Sequence, residues 1–161
     1  MSRAFVKELD GDELPETLPP RPASPHLNYV TPLGLEQLDH QIAKLEAEWR
    51  NLRKAETLES RRRQAEVERD FHYFQNRRES VILVPSEANP EVVRFGCTVT
   101  VEEDDGERTF TIVGEDEANP AQGQVSWTSP LAKAVHGAQV GDVRLWRRPK
   151  GNLELEILCI S

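Results

Sequence analysis

The chemically capable groups in this 161-residue chain are its carboxylates, four histidines, two cysteines and a run of three arginines. Arg61, Arg62 and Arg63 are the cluster suited to a phosphate backbone, or to a charged helix face that pairs with the neighbouring acids. The remaining constellations are missing. His26, His40, His72 and His136 are scattered with no His-x-x-x-His pair, and Cys97 and Cys159 are far apart, so neither an intrinsic metal site nor a disulfide is expected. Free core thiols are the expectation for both cysteines. Gly-x-Ser-x-Gly and Walker-type loops are absent, which leaves no nucleophile elbow or P-loop to assign.

The chain carries 28 acidic and 20 basic side chains, a net charge of -8. That excludes a protein that binds nucleic acid by phosphate neutralisation over its whole surface. Residues 1–34 have a charge of -2, residues 35–80 are balanced with ten of each sign, and residues 81–161 have -6. No apolar run approaches the ~20 residues of a membrane span, and the N-terminus lacks an apolar signal core. The expectation is a cytoplasmic monomer.

Elements to position these groups are legible in the periodicity. Six of the eleven prolines lie in the first 32 residues among several acids, so residues 1–28 read as a flexible arm, either a plain tail or a docking segment through Phe5 and Val6. Thr31 suits an N-cap, with Pro32 at the first helical position. Leu35, Leu38, Ile42, Leu45, Trp49 and Leu52 then recur at spacings of three and four, a heptad seam. A turn near residues 54–59 and a return helix over about 58–79, with Val67, Phe71 and Phe74 on its stripe, complete an antiparallel hairpin over residues 29–82. Beyond Pro85 the period becomes two: Cys97, Val99 and Val101 alternate with polar residues, and Asp104-Asp105-Gly106 supplies a turn. Further strands are expected at Phe110–Ile112, Val125–Trp127, Val143–Trp146 and Leu153–Ile157, with Ser129-Pro130 starting a short helix. Residues 83–161 thus read as antiparallel strands around one helix, and the whole chain as α+β.

Two regions resemble the Gre-type bacterial transcript-cleavage and elongation factors. Tyr29-Val30-Thr31-Pro32-Leu33-Gly34-Leu35 is similar to the start of their coiled-coil arm. Phe95–Val101, Ile112–Ala118, Ser129–Ala134 and Val140–Val143 resemble, in order and spacing, the family's FKBP-like C-terminal domain. The opening Met1–Glu8 and Ser24-Pro25-His26 resemble a divergent proteobacterial Gre-like subgroup. The resemblance implies a factor that grips bacterial RNA polymerase and inserts its hairpin into the secondary channel, meeting nucleic acid only indirectly within the elongation complex. Tip carboxylates would there help hold Mg2+, part of the polymerase active site and not a cofactor of this chain. It would lend groups to another enzyme and have no reaction of its own. The family's tip string, with its serine, asparagine and alanine, is not present. A shortened arm puts Glu56 and Glu59 at the tip; counting from Thr31 gives Glu66, Glu68 and Asp70 instead. Thr128, Ser129 and Pro130 correspond to the family's polymerase-contacting loop. Stimulated cleavage and simple occlusion of the channel both remain open, and FKBP-type prolyl isomerisation is disfavoured because the domain has few aromatics to line a pocket.

Overall fold

The structure is a computed structural model that describes residues 17–161; the docking segment expected at Phe5 and Val6 lies outside the described residues. Helix α1 spans Pro32–Leu52 and begins as its sequence dictates, with the Thr31 hydroxyl accepting from the Gly34 backbone N–H and proline in the first turn. Helix α2 spans Leu58–Glu79 behind a capping box in which Thr57 and Ser60 satisfy each other's backbone N–H groups. At ~1.5 Å per residue, arms of 21 and 22 residues make a rod about 32 Å long. Leu38, Leu45 and Val67 are the buried side chains of its seam, while Ile42, Trp49 and Leu52 are half-buried. Arg63 bolts the arms together, its Nε donating to Glu48 on α1 at 2.6 Å and Nη1 to Glu66 at 2.9 Å. That pairing holds the Glu48 carboxyl below its usual range.

The rod is closed at its base by a feature absent from the sequence reading. Strand β1, Tyr29–Val30, pairs in parallel with β2, Ile82–Leu83. The chain therefore enters and leaves the hairpin side by side. Asn28, buried beneath this ribbon, donates from Nδ2 to the Arg77 carbonyl at 2.7 Å, satisfying one of the free carbonyls at the end of α2.

The second unit is a five-stranded sheet in the order β5-β4-β3-β7-β6, formed by β3 (Thr98–Glu103), β4 (Gly106–Val113), β5 (Gln124–Ser126), β6 (Val143–Trp146) and β7 (Leu153–Ile160). Alternation places Val99, Val101, Phe110, Ile112, Leu155 and Ile157 on the inner face, where Leu131, Ala132 and Val135 of α3 (Pro130–Val135) cover them. The sheet is antiparallel except at β5, which joins β4 in parallel. Residues 114–123, folded as two single 3-10 turns, supply the crossover that a parallel neighbour requires. Of the two free cysteines, Cys97 is in the core as expected, but Cys159 is exposed. A β-bulge shifts the β3–β7 register between Thr100 and Val101, and Cys159 lies opposite Thr100 on the outer face.

Residues 17–28, read from the sequence as part of a flexible arm, make defined contacts instead. The Arg21 guanidinium lies 3.8 Å from the Tyr73 ring centroid and within 3.5 Å of Asp70. Ser24 donates to Glu115 at 3.0 Å, and the His26 ring meets Trp127 edge-on. Proline denies this stretch a helix or a central strand, but an extended strap needs neither.

Because Leu45 is the buried seam residue midway along α1, Leu45→Ala is expected to cost ~2–4 kcal/mol. Hydrogen exchange should show the loss as faster amide exchange along the distal rod, with β3, β4 and β7 still protected.

Candidate functional site

The chain reverses over residues 53–57, between the end of α1 and the N-cap of α2. Glu56 and Glu59 are exposed at that tip, and no side chain among the described residues pairs with either. Glu59 sits in the first turn of α2, where a negative charge meets the positive end of the helix dipole. The alternative acids lie along the shaft. Glu66 is held by Arg63, Asp70 by Arg69 at 3.3 Å and Arg21 at 3.5 Å, and Glu68 is within 3.9 Å of His72. The geometry therefore brings Glu56 and Glu59 together at the tip and leaves the alternative acids on the shaft of α2, with Glu66 and Asp70 in ion pairs. No group of three metal-ligating side chains occurs among the described residues.

The rod's direction is set by a cluster that sequence reading passed over. The turn Glu115–Glu117 after β4 presents three consecutive acids to the base of the hairpin. Asp116 accepts from Arg77 Nε at 2.5 Å and from the Tyr73 hydroxyl at 2.7 Å, and Glu115 lies 3.7 Å from the same guanidinium. Glu117 accepts from the start of α1 and from its own turn: its Oε2 takes the Thr31 and Gly114 backbone N–H groups, each at 3.0 Å, and its Oε1 takes the Thr31 hydroxyl. Both helices are thereby gripped at their roots. Gly34 is required for this, since a Cβ there would stand 2.0 Å from the Glu117 carboxyl carbon. Gly114 is required too, its backbone passing so close to the Tyr29 carbonyl that a Cβ would lie at 2.4 Å. The signal available in the sequence was the acid triplet beside a glycine, matched by an arginine on the polar face of α2; nothing in the sequence showed that they meet.

Arg77 is 6% exposed, so its charge has been taken out of water and depends on those two carboxylates. Burial, with the Asp116 hydrogen bond, pushes the Tyr73 phenol up to about 12 from an ordinary value of 10.0.

The expected polymerase-contacting residues lie at the start of α3. Ser129 is the N-cap, accepting from the Ala132 N–H at 3.2 Å; Thr128 shares a 2.8 Å hydrogen bond with Ser126; Pro130 is exposed at the first helical position. They adjoin Trp127, whose ring meets Tyr29 edge-on at 5.1 Å. Beside them opens a cavity of about 940 Å³ lined by Tyr29, Phe95, Ile112 and Trp127. It is more aromatic than the count within the C-terminal domain suggested, because Tyr29 comes from the base of the hairpin. Both Trp127 and Trp146 are partly buried against the core.

Comparison with known proteins places this architecture. Residues 77–161 match the family described as transcription elongation factor, GreA/GreB, C-term. Transcription elongation factor GreB of Neisseria meningitidis serogroup B is 32% identical over 152 residues, covering 83% of this chain and 93% of that protein. Transcription elongation factor GreA of Geobacillus kaustophilus is 40% identical over 101 residues, covering 61% of this chain and 64% of its own. Among solved structures, the GreA factor homolog 1 (Gfh1) of Thermus thermophilus aligns over 84% of this chain and 99% of its own at 21% identity, with a TM-score of 0.40. The class is that of transcription elongation factors, proteins that are not enzymes in their own right. Within it, the chain belongs to the GreA/GreB family.

Removing one partner of the buried pair strands the others, so Arg77→Ala should destabilise the protein by ~3–5 kcal/mol in urea unfolding. The Tyr73 phenol titrates higher folded than unfolded, so its contribution is complete below pH 10 and lost as pH rises from 10 towards 12. The urea midpoint should therefore fall over that interval, and fall less in Tyr73→Phe.

Proposed function

We propose that this factor docks on bacterial RNA polymerase through its sheet domain and enters the secondary channel with its hairpin. There Glu56 and Glu59 approach the polymerase's Mg2+ and the 3′ end of backtracked RNA. The observation that supports the reading is a rod about 32 Å long, clamped at its root by Glu115–Glu117 and bearing at its far end carboxylates without a side-chain partner among the described residues. A tip carboxylate so delivered can complete the coordination of a hard cation and orient water, the chemistry that cleavage of backtracked RNA demands. The magnesium belongs to the polymerase; this chain supplies oxygen ligands and their placement.

A second reading is that the hairpin occupies the channel and competes with other factors without promoting cleavage. The position of Glu59 favours it, because that carboxylate already serves the first turn of α2. On either reading the docking surface includes Thr128, Ser129 and Pro130. Of these, Pro130 is the residue whose side chain is exposed, at a position where aspartate also suits a helix start.

Titration against polymerase should show binding at micromolar concentration or tighter and displacement of other secondary-channel factors. No binding there rejects both readings. Pro130→Asp should weaken binding at least ~10-fold, equivalent to about 1.4 kcal/mol, with an unchanged circular dichroism spectrum. In a backtracked complex, RNA shortening by the wild type that is lost in Glu56→Ala/Glu59→Ala establishes carboxylate delivery. Binding without shortening establishes occlusion.

A further inference from the structure

Residues 81–161 carry seven basic side chains against thirteen acidic ones, yet five of the seven gather at one corner. Arg147, Arg148 and Lys150 occupy the turn between β6 and β7, Arg144 lies on β6, and Arg108 reaches across from β4. The corner is built around Trp146. The guanidinium carbon of Arg148 lies 5.1 Å from the indole centroid and that of Arg108 lies 5.4 Å from it. Stacking of this kind orders a guanidinium while leaving its N–H groups free to bind. The Arg148 Nε also donates to the Gly151 carbonyl at 3.2 Å, fixing the turn. Two of the five cations have acidic partners, Arg108 with Glu103 at 3.5 Å and Arg144 with Asp142 at 3.8 Å. Arg147 and Lys150 are exposed and have no ion pair among the described residues.

Acids of this domain lie beside the corner, Asp104 and Asp105 in the neighbouring β3–β4 turn and others along the outer face of the sheet. Glu107, Glu102 and Glu156 stand directly opposite one another across β4, β3 and β7 on the outer face, with Glu154 one position along it. Like charges so placed repel. The cations project from a turn at the end of the sheet away from Glu115–Glu117, beyond the strand ends and free of the outer face that carries these acids. By contrast, the Arg61–Arg63 run, suited by sequence either to phosphate or to a charged helix face, is partly consumed inside the rod, where Arg63 binds Glu48 and Glu66.

We propose that the β6–β7 corner binds the phosphodiester backbone of nucleic acid. A net charge of -8 excludes global attraction, so recognition must be local, through closely spaced cations. Arg147, Arg148 and Lys150 fall within four residues of chain. A nucleic acid, with one charge per ~1.7 Å of duplex axis, offers several partners to such a cluster at once. Planar guanidiniums suit phosphate oxygens in particular. Binding at this corner requires no polymerase, so its success or failure is separable from that of the docking reading.

The test is fluorescence anisotropy of the full chain with a labelled 20-base-pair DNA duplex and, separately, a labelled single-stranded RNA, over a salt series starting at 50 mM. The wild type should bind both, with log K falling linearly with log salt. Arg147→Ala/Lys150→Ala should weaken binding at least ~10-fold at the lowest salt and make the slope shallower by about 1.8 on the duplex and about 1.4 on single strands. Arg61→Ala/Arg62→Ala should leave binding within about twofold. Absence of wild-type binding at 50 mM salt overturns the proposal, as does a loss confined to the Arg61/Arg62 variant. Equal displacement by polyglutamate at matched charge also overturns it, in favour of an acidic protein surface. A strong preference for one of the two probes identifies which nucleic acid the corner takes.

Discussion

The buried guanidinium of Arg77 and the three acids that face the hairpin base are the constraint from which the rest of this molecule follows. A helical pair joined to a sheet by a single linker, residues 84–97, has no intrinsic direction, because the seam of Leu38, Leu45 and Val67 holds the helices to each other and not to the sheet. Glu115, Asp116 and Glu117 supply that direction by engaging α1 through Thr31 and α2 through Arg77 and Tyr73. Such contacts are costly to desolvate and weak as a source of net stability. Their geometric selectivity is what matters here: fork-shaped guanidinium to carboxylate, and carboxylate to two backbone N–H groups, leave little angular freedom.

The division of labour between polar and apolar contacts follows. The sheet domain is stabilised by a continuous core of valine, isoleucine, leucine and phenylalanine under α3, and its orientation relative to the rod is set by charge. Gly34 and Gly114 are where the two systems meet, each giving up a side chain so that a carboxylate or a carbonyl can approach. The strap of residues 17–28 adds a third contact, touching α2 through Arg21, the Glu115 turn through Ser24 and Trp127 through His26.

Much of the architecture was legible in the sequence because it rests on local periodicity. Three-and-four spacing from Leu35 to Leu52, the Thr31-Pro32 start and the alternation around Val99 and Phe110 each report a single element and its buried face. What depended on contacts between distant residues was not legible. Tyr29 pairing with Ile82, β5 joining β4 in parallel, Arg77 meeting Asp116 and Arg21 stacking on Tyr73 link positions 13 to 53 residues apart. Cys159 was misplaced because a bulge, which leaves no mark on composition, shifted its register. At the candidate site, the tip acids followed from helix lengths, whereas the corner around Trp146 needed the strand order to bring Arg108 beside Arg148.

The parallel ribbon of β1 and β2 makes the rod a lever with a narrow fulcrum. Over about 32 Å, a tilt of roughly 5° at the root sweeps the far end through ~3 Å, more than a whole metal–oxygen bond of ~2–2.5 Å. Angular stiffness at the fulcrum, and not the chemical identity of the tip alone, therefore sets how sharply this factor can aim. Evolution of reach and evolution of aim are mechanically coupled: every turn added to the helices multiplies the swing that the same few carboxylates must restrain.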